Sequence, residues 1–454
     1  MAYFGVPQRS GLAFGLSARQ FAKAFATLIF ALTVLFAMGG TTASLIAFVT
    51  ILVIGMVGFF YPIQELPMFN WIETHVSHGL KTHRWKPAVL EHTMADKGMK
   101  ADYSALEIEL KRAGGRDYVS HAWGNTLLWK IDMPSMNGFA YLPRAQQSAM
   151  LHTIENLMQE IGRNPGVLRF GFTTLDMPST ADGIKSHLES LPVPPPDFYR
   201  QVAEATATNM RDVHIWLFVT ADPSTELNAL FHSVTSALQM ASITANALSI
   251  TDIAWHVIGL LSDPFTWAER HKYRTFSAPF PEMIKADLDL VRTDRIRHVC
   301  RMATMFPRQE VGDNWWALAQ PRLDQSNVAL ATTVIYDVVS NDVALKTAGK
   351  TLQAAEGALH EAQAVKGKAD FAAVRQLQDA SRRNEEIVSG AALHRITLGY
   401  HVMSDVRNDA FEAVKRVDSG FRASGIDVQS CHGRQLEAFR MLMPFGCVRS
   451  KGMR

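Results

Sequence analysis

Several short stretches of this sequence carry residue types that could do chemistry. Ala348-Gly349-Lys350-Thr351 ends like a phosphate-binding loop. That loop needs G-x-x-x-x-G-K-[ST], so that backbone amides can wrap phosphate ahead of a helix N-terminus. The first glycine would fall at 344, where the chain has Ala344, so the match is read as chance and nucleotide hydrolysis by this chain alone is not expected. His360-Glu361 opens like a zinc-protease helix, but the second histidine is missing and Ala364 stands in its place. Cys431 and His432 are adjacent, and neighbours on a strand point to opposite faces, which disfavours a nucleophile–base pair. His75 and His78 lie one helical turn apart with His83 beyond. No carboxylate or cysteine at a recognisable spacing completes a metal site there. The residues therefore call for no catalytic group, no cofactor and no metal.

One basic stripe stands apart. In "RTDRIRHVCRM" the alternation puts Arg295, Arg297 and Arg301 on one face of a strand and Ile296, His298, Cys300 and Met302 on the other. Such a stripe could meet DNA phosphate or an acidic partner, or be a solvated sheet face.

The elements that would position these residues follow from the rest of the chain. Its 454 residues exceed one ordinary core, and two or three folding units are expected. A formal net charge of +2 excludes the global basic field of a dedicated nucleic-acid binder. The 3 cysteines form no C-x-x-C pair, so a disulfide framework is not expected and a reducing compartment is the simpler reading. Charge is scarcest near the N-terminus, where Phe21–Gly40 carries only Lys23 and Ala43–Ile63 carries none. Each run is long enough on paper for a helix of roughly 30 Å to cross a bilayer. Gly39-Gly40-Thr41-Thr42 reads as the turn between them, and Arg9, Arg19, Lys23, Lys81, Arg84 and Lys86 place both ends in the cytoplasm. The expectation is a multi-pass inner-membrane protein with a two-helix transmembrane hairpin in residues 1–66.

A membrane-lying helix and connector is expected at 67–117, with Phe69, Ile72, Val76 and Leu80 at helical spacing. A first α+β subdomain spans 118–191. "NTLLWKIDMP", "GFAYLP" and "VLRFGFTTLDMP" read as strands, and a helix runs from about Arg144 to Ile161. The proline-rich "LPVPPPDF" marks a linker, and a second α+β subdomain follows at 197–342. Val343 to Val388 reads as a long antiparallel helical arm broken at Lys366–Asp370, which either packs on its own domain or docks another subunit. A closing strand–helix–strand unit and a C-terminal helix fill 389–454. "VHIWLFVTADPSTELNALFHSVTSALQMASITANALS" and "HRITLGYHVMSDVRNDAFEAVKRVDSGFRASGIDVQS" repeat the same strand–helix–strand order. The expected class is therefore α+β: a transmembrane hairpin followed by a cytosolic region with ferredoxin-like βαβ units and a helical arm.

This order, from "SGLAFGLSARQ" through the arm to the closing "GRQLEAFRMLMPFG", resembles membrane subunits of type IV secretion (conjugation) systems. In those, a short hairpin subunit is joined to the N-terminal, non-catalytic half of the conjugation ATPase. Leu442-Met443-Pro444-Phe445-Gly446 is similar to the junction that ends that half. The chain departs from the pattern in lacking a motor domain. The resemblance implies a non-catalytic inner-membrane scaffold in a hetero-oligomer, touching the lipid bilayer, other membrane secretion subunits and a separate P-loop ATPase. A type VII secretion membrane subunit and a membrane-anchored enzyme with a site dispersed in sequence are the alternatives.

Overall fold

A computed structural model describes residues 18–37, 39, 41–60, 62–63, 66–69, 72, 76, 88–89, 106–132, 143–179, 196–199, 201–202, 211–266, 283–306, 323, 327–366 and 371–447. The expected strand "GFAYLP" and nearly all of the membrane-lying helix fall outside them.

Helices α1 (Ala18–Ala37) and α2 (Thr42–Phe60) form where the two apolar runs were read and pack on each other. Gly55 permits this approach, since a Cβ there would lie 3.0 Å from Thr27 Cγ2. The transmembrane hairpin, and with it the multi-pass inner-membrane placement, is corrected by the structure. Among the described residues no helix is long and apolar enough to cross a membrane. In α1 the charges Arg19 and Lys23 leave an uncharged run of about 21 Å, and the 19 residues of α2 give about 28 Å, against the roughly 30 Å of a hydrocarbon core.

The rest is organised by one 13-stranded sheet. Its strands are β3 (Ala88–Val89), β4 (Ile108–Ala113), β5 (Arg116–His121), β6 (Gly124–Asp132), β7 (Val167–Pro178), β8 (Arg211–Ala221) and β9 (Thr244–Ala247). Then come β10 (Met283–Ala286), β11 (Val291–Thr293), β12 (Ile296–Met305), β13 (Val328–Val339), β14 (Leu393–Ser404) and β15 (Asp427–Ser430). A separate ribbon pairs β1 (Pro62–Ile63) with β2 (Leu66–Pro67).

The order of pairing resolves the large sheet into two halves of the same plan. In the first, β6 lies between β8 and β9, and β7 lies outside β8, giving β9-β6-β8-β7. In the second, β12 lies between β14 and β15, and β13 lies outside β14, giving β15-β12-β14-β13. Each is the split βαβ arrangement, with every ladder antiparallel. The two repeated stretches of sequence are β8–α4–β9 and β14–α8–β15, where α4 is Leu227–Met240 and α8 is Arg407–Ala423. In the first half α3 (Arg144–Arg163) joins β6 to β7. The halves therefore do not follow the proline-rich linker: β6 and β7 precede it, β8 and β9 follow it, and all four lie in one unit. Strand pairing across the linker outweighs proximity in sequence.

The halves meet where β7 runs antiparallel to β13, from Leu330 opposite Asp176 to Asp337 opposite Arg169. Thr173 Oγ1 and Thr333 Oγ1 are 3.0 Å apart at the centre of this seam. Gly171 is required beside it, because a Cβ would stand 2.3 Å from Val334 O and 2.5 Å from the Phe218 ring. Gly171→Val is expected to cost about 3 kcal/mol through overpacking, read as a lowered urea midpoint.

One face of the sheet is covered by α3 and α4, whose Leu157 and Val234 pack with Trp129, Phe170 and Leu217, and by α8, whose Val414 and Phe421 pack with Tyr400 and Val402. The other face is covered by α5 and α9. Helix α5 runs Ile250–Asp252, continues π-helical through Ile253–Gly259 and ends with Leu260–Ser262; α9 is Gln435–Leu442. Ser249 starts α5 with a reciprocal capping box to Asp252. Between β13 and β14 stands the helical arm, α6 (Asn341–Lys366) and α7 (Phe371–Val388). Its root is a small cluster of Ala344, Ala348 and Ile387 against Val339 and Leu393.

Candidate functional site

The row of threonines through the sheet leads to the most built feature of the molecule. Thr126 on β6 and Thr220 on β8 are register partners, as are Thr173 on β7 and Thr333 on β13, and all four are buried. A hydroxyl in an apolar strand costs free energy unless it finds a partner. Here the partners include the chain's own C-terminal segment. Thr333 Oγ1 donates to Leu442 O at 2.6 Å, and Thr126 Oγ1 donates to Phe445 O at 2.7 Å. Arg169 Nη1 donates to Gly446 O at 3.2 Å, and Trp123 Nε1 donates to Cys447 O at 2.9 Å. At its start the segment is tied to the second half: the Gln435 side-chain amide accepts from Cys300 N at 2.8 Å and donates to Cys300 O at 3.3 Å. His432 Nδ1 lies 2.5 Å from Asp289 Oδ1, and Arg440 pairs with Glu107.

Residues 435–447 thus cross the seam and read both halves with backbone carbonyls. Their apolar side chains complete the core: Phe439, Leu442, Met443 and Phe445 are each 0% exposed. Gly446 needs its positive φ of 62°, and a Cβ there would stand 2.3 Å from Thr220 Oγ1. The Arg169 guanidinium, buried beside Asp337 at 2.6 Å and over the Trp123 ring, joins β7, β13 and this segment. Sequence reasoning missed these residues as a group. The signal available was one threonine or threonine pair in each of four apolar strands.

Beneath the segment lie two histidines. His298 Nε2 is 2.6 Å from Thr293 Oγ1, and that hydroxyl donates to Ser262 O at 2.8 Å. Its one proton is therefore committed, and His298 is the donor through Nε2–H. Among the described residues, His298 Nδ1 and both ring nitrogens of His401 are buried without a hydrogen-bond partner. Burial pushes the His401 imidazole down to about 3, and burial with His401 nearby holds His298 well below the usual histidine range. The Cys300 and Cys431 thiols nearby are pushed up by burial, Cys431 to about 12, so neither is a ready nucleophile. Cys431 and His432 are not a catalytic dyad, because the His432 ring is turned to Asp289.

The basic stripe is divided by the fold. Arg295 is exposed in the turn before β12. Arg297 is half-buried and donates to Asp405 O. Arg301 is drawn under α8, 3.6 Å from Asp418, whose carboxylate also accepts from Tyr400 Oη. Alternation puts Arg297 and Arg301 on one face, but that face is covered. Arg301→Ala is expected to cost about 3 kcal/mol by stranding Asp418, and Arg295→Ala less than about 0.5 kcal/mol, read from urea melts.

The glycine–lysine match, Ala348–Thr351, lies inside α6 with Ala348 buried, so its amides are committed to the helix. His360-Glu361 lies further along α6. The three histidines at 75, 78 and 83 lie outside the described residues, and among the described residues no cluster of three or more His, Cys, Asp or Glu could hold a metal. A shallow depression of about 170 Å³ lies between Gly115, Arg116, Leu127, Phe231 and Leu248. Its main cation, Arg116, is stacked on Phe231 at 3.7 Å and donates to Asn228 Oδ1 at 3.2 Å.

The arm is the other candidate. The face of α6 with Ala355 and the face of α7 with Ala380 close on each other, as a spacing of small and apolar residues near seven requires. Twenty-six residues of helix carry the arm about 39 Å from its root. Phe371, where α7 begins, is 93% exposed. No family model matches the chain, and no curated protein matches it.

Proposed function

We propose that this chain is a non-catalytic scaffold of a secretion-like machine, and that its helical arm seats a separate P-loop ATPase. The observation that carries the reading is the arm itself. Its apolar stripe is partly closed within the helix pair, with Leu345 and Phe371 left exposed, and its outward surface carries mixed charge with Arg382–Glu386 at 3.0 Å. A solvated helix pair of this kind does little for the core of its own sheet, and it offers a long surface to another protein. The segment 435–447 supports the same reading, because it makes the two halves one rigid base for the arm. The layout from "SGLAFGLSARQ" to "LMPFG" supplies the class of machine by resemblance.

The test uses the sheet's own geometry. Val339 is the register partner of Leu393, so residues 341–391 can be replaced by a two-residue turn without moving β13 or β14. The intact protein, captured from its native cell extract, is expected to bring down a P-loop ATPase. The armless variant is expected to melt within a few degrees of the intact protein and to lose that partner. Equal recovery of the ATPase with both proteins would overturn the arm's role. Recovery of no ATPase with either would overturn the scaffold reading.

A further inference from the structure

The His298–His401 pair sits under one residue of the C-terminal segment. The Phe439 ring is 4.8 Å from His298 and 5.6 Å from His401, and the two imidazoles are 5.7 Å apart. His298 belongs to β12 and His401 to β14, so the pair forms the floor on which α9 rests. We propose that these two histidines and Phe439 form an acid-released latch, in which protonation of the pair frees α9 and residues 443–447 from the sheet ahead of the sheet's own unfolding.

The surroundings leave protonation little compensation. Among the described residues His401 has no hydrogen-bond partner on either ring nitrogen, and His298 already donates to Thr293, with a partial offset from the Ser262 carbonyl. The titratable groups packed around them on β12 and after β15 are the Cys300 and Cys431 thiols, which stay neutral over this range. On β11 the facing group is the Thr293 hydroxyl, and from α5 it is the Ser262 carbonyl. From α9 the facing side chain is Phe439, with Gln435 committed to the Cys300 backbone. The charged residues of α9, Glu437 and Arg440, are engaged by Arg434 and Glu107. A cation formed on this floor would face an aromatic ring and a second imidazole. It gains water only when α9 lifts.

The linkage has a definite sign and size. In the closed latch both imidazoles are neutral, and in the open latch each titrates near the ordinary value of about 6.5. Lowering the pH from 7.5 to 5.5 therefore favours opening by about tenfold per histidine, or about 100-fold for the pair.

Hydrogen–deuterium exchange of the full chain, corrected for the intrinsic pH dependence of amide exchange, reads this directly. Between pH 7.5 and 5.5 the α9 amides are expected to lose about 100-fold in protection, while β13 and β14 amides stay better protected than those of α9 at each pH. His401→Leu keeps the apolar floor but cannot protonate, and the loss is expected to shrink to about tenfold. His401→Gln serves the same purpose should the leucine variant fold poorly. Equal protection of α9 and β13 at every pH, or a wild-type α9 protection that does not change with pH, would overturn the latch. So would a His401 variant with the full 100-fold response.

Discussion

Acidification from pH 7 to pH 5 is expected to weaken this protein. Two fully buried histidines and three half-buried ones carry the effect. Burial holds the rings of His121, His214 and His394 at about 4, with Arg169 adding to the effect at His121 and Lys130 at His214. His401 lies at about 3, and His298 is also well below the usual range. Each is neutral in the folded protein and titrates near 6.5 in the unfolded chain, so the unfolded state binds more protons as the pH falls. Stability is full above about pH 6.5 and is lost as the pH drops toward 4. At pH 5 each of the two fully buried rings costs about 2 kcal/mol relative to pH 7, and the three half-buried ones less. Together that is a large part of the stability of a typical domain, about 5–15 kcal/mol. Thermal melts at half-unit steps should show a steep fall below pH 6. A melting temperature flat between pH 7 and pH 5 would mean that these rings are hydrated in solution.

The second large effect is expected from two phenylalanines near the C-terminal end of the described chain. Phe439 and Phe445 are both 0% exposed, one over the His298–His401 floor and the other where the segment meets Thr126. Truncating a buried phenylalanine to alanine costs about 3–5 kcal/mol through lost transfer energy and the cavity left behind. The double variant, Phe439→Ala with Phe445→Ala, should lose about 6–10 kcal/mol and aggregate or melt tens of degrees early. Phe371→Ala, at a residue 93% exposed on the arm, should leave the melt unchanged. Chemical denaturation of the two variants separates the cases. A double variant within about 1 kcal/mol of the parent would mean that the segment is only lightly docked.

Much of the local structure was legible because periodicity is local. "VLRFGFTTLDMP" is β7 from Val167 to Pro178, and the arm's helices end at Lys366 and begin at Phe371, on either side of the expected turn. Both repeated strand–helix–strand stretches form. What was not legible depends on which faces meet. Alternation placed Arg297 and Arg301 together, but a period of two cannot say whether a face meets solvent or a helix, and α8 covers this one. The proline-rich linker looked like a unit boundary, yet β6 finds its partner in β8 on the other side of it. "LMPFG" carries no periodicity at all. Its carbonyls are read by Thr333, Thr126 and Arg169, residues 109, 319 and 277 positions away in sequence. At the N-terminus uncharged length reads as a crossing, but among the described residues no helix is both long and apolar enough for one.

The most direct measurement of the central claim places a photo-crosslinking residue at position 371, where Phe371 is 93% exposed at the start of α7. Irradiation in the native cell, followed by mass spectrometry, is predicted to give one dominant adduct, with a P-loop ATPase. A control crosslinker at Met240, which is 76% exposed at the end of α4, is predicted to give no such adduct. Adducts at 371 confined to this chain's own sheet, or the ATPase captured equally from 240, would contradict the account of the arm as the seat of the motor.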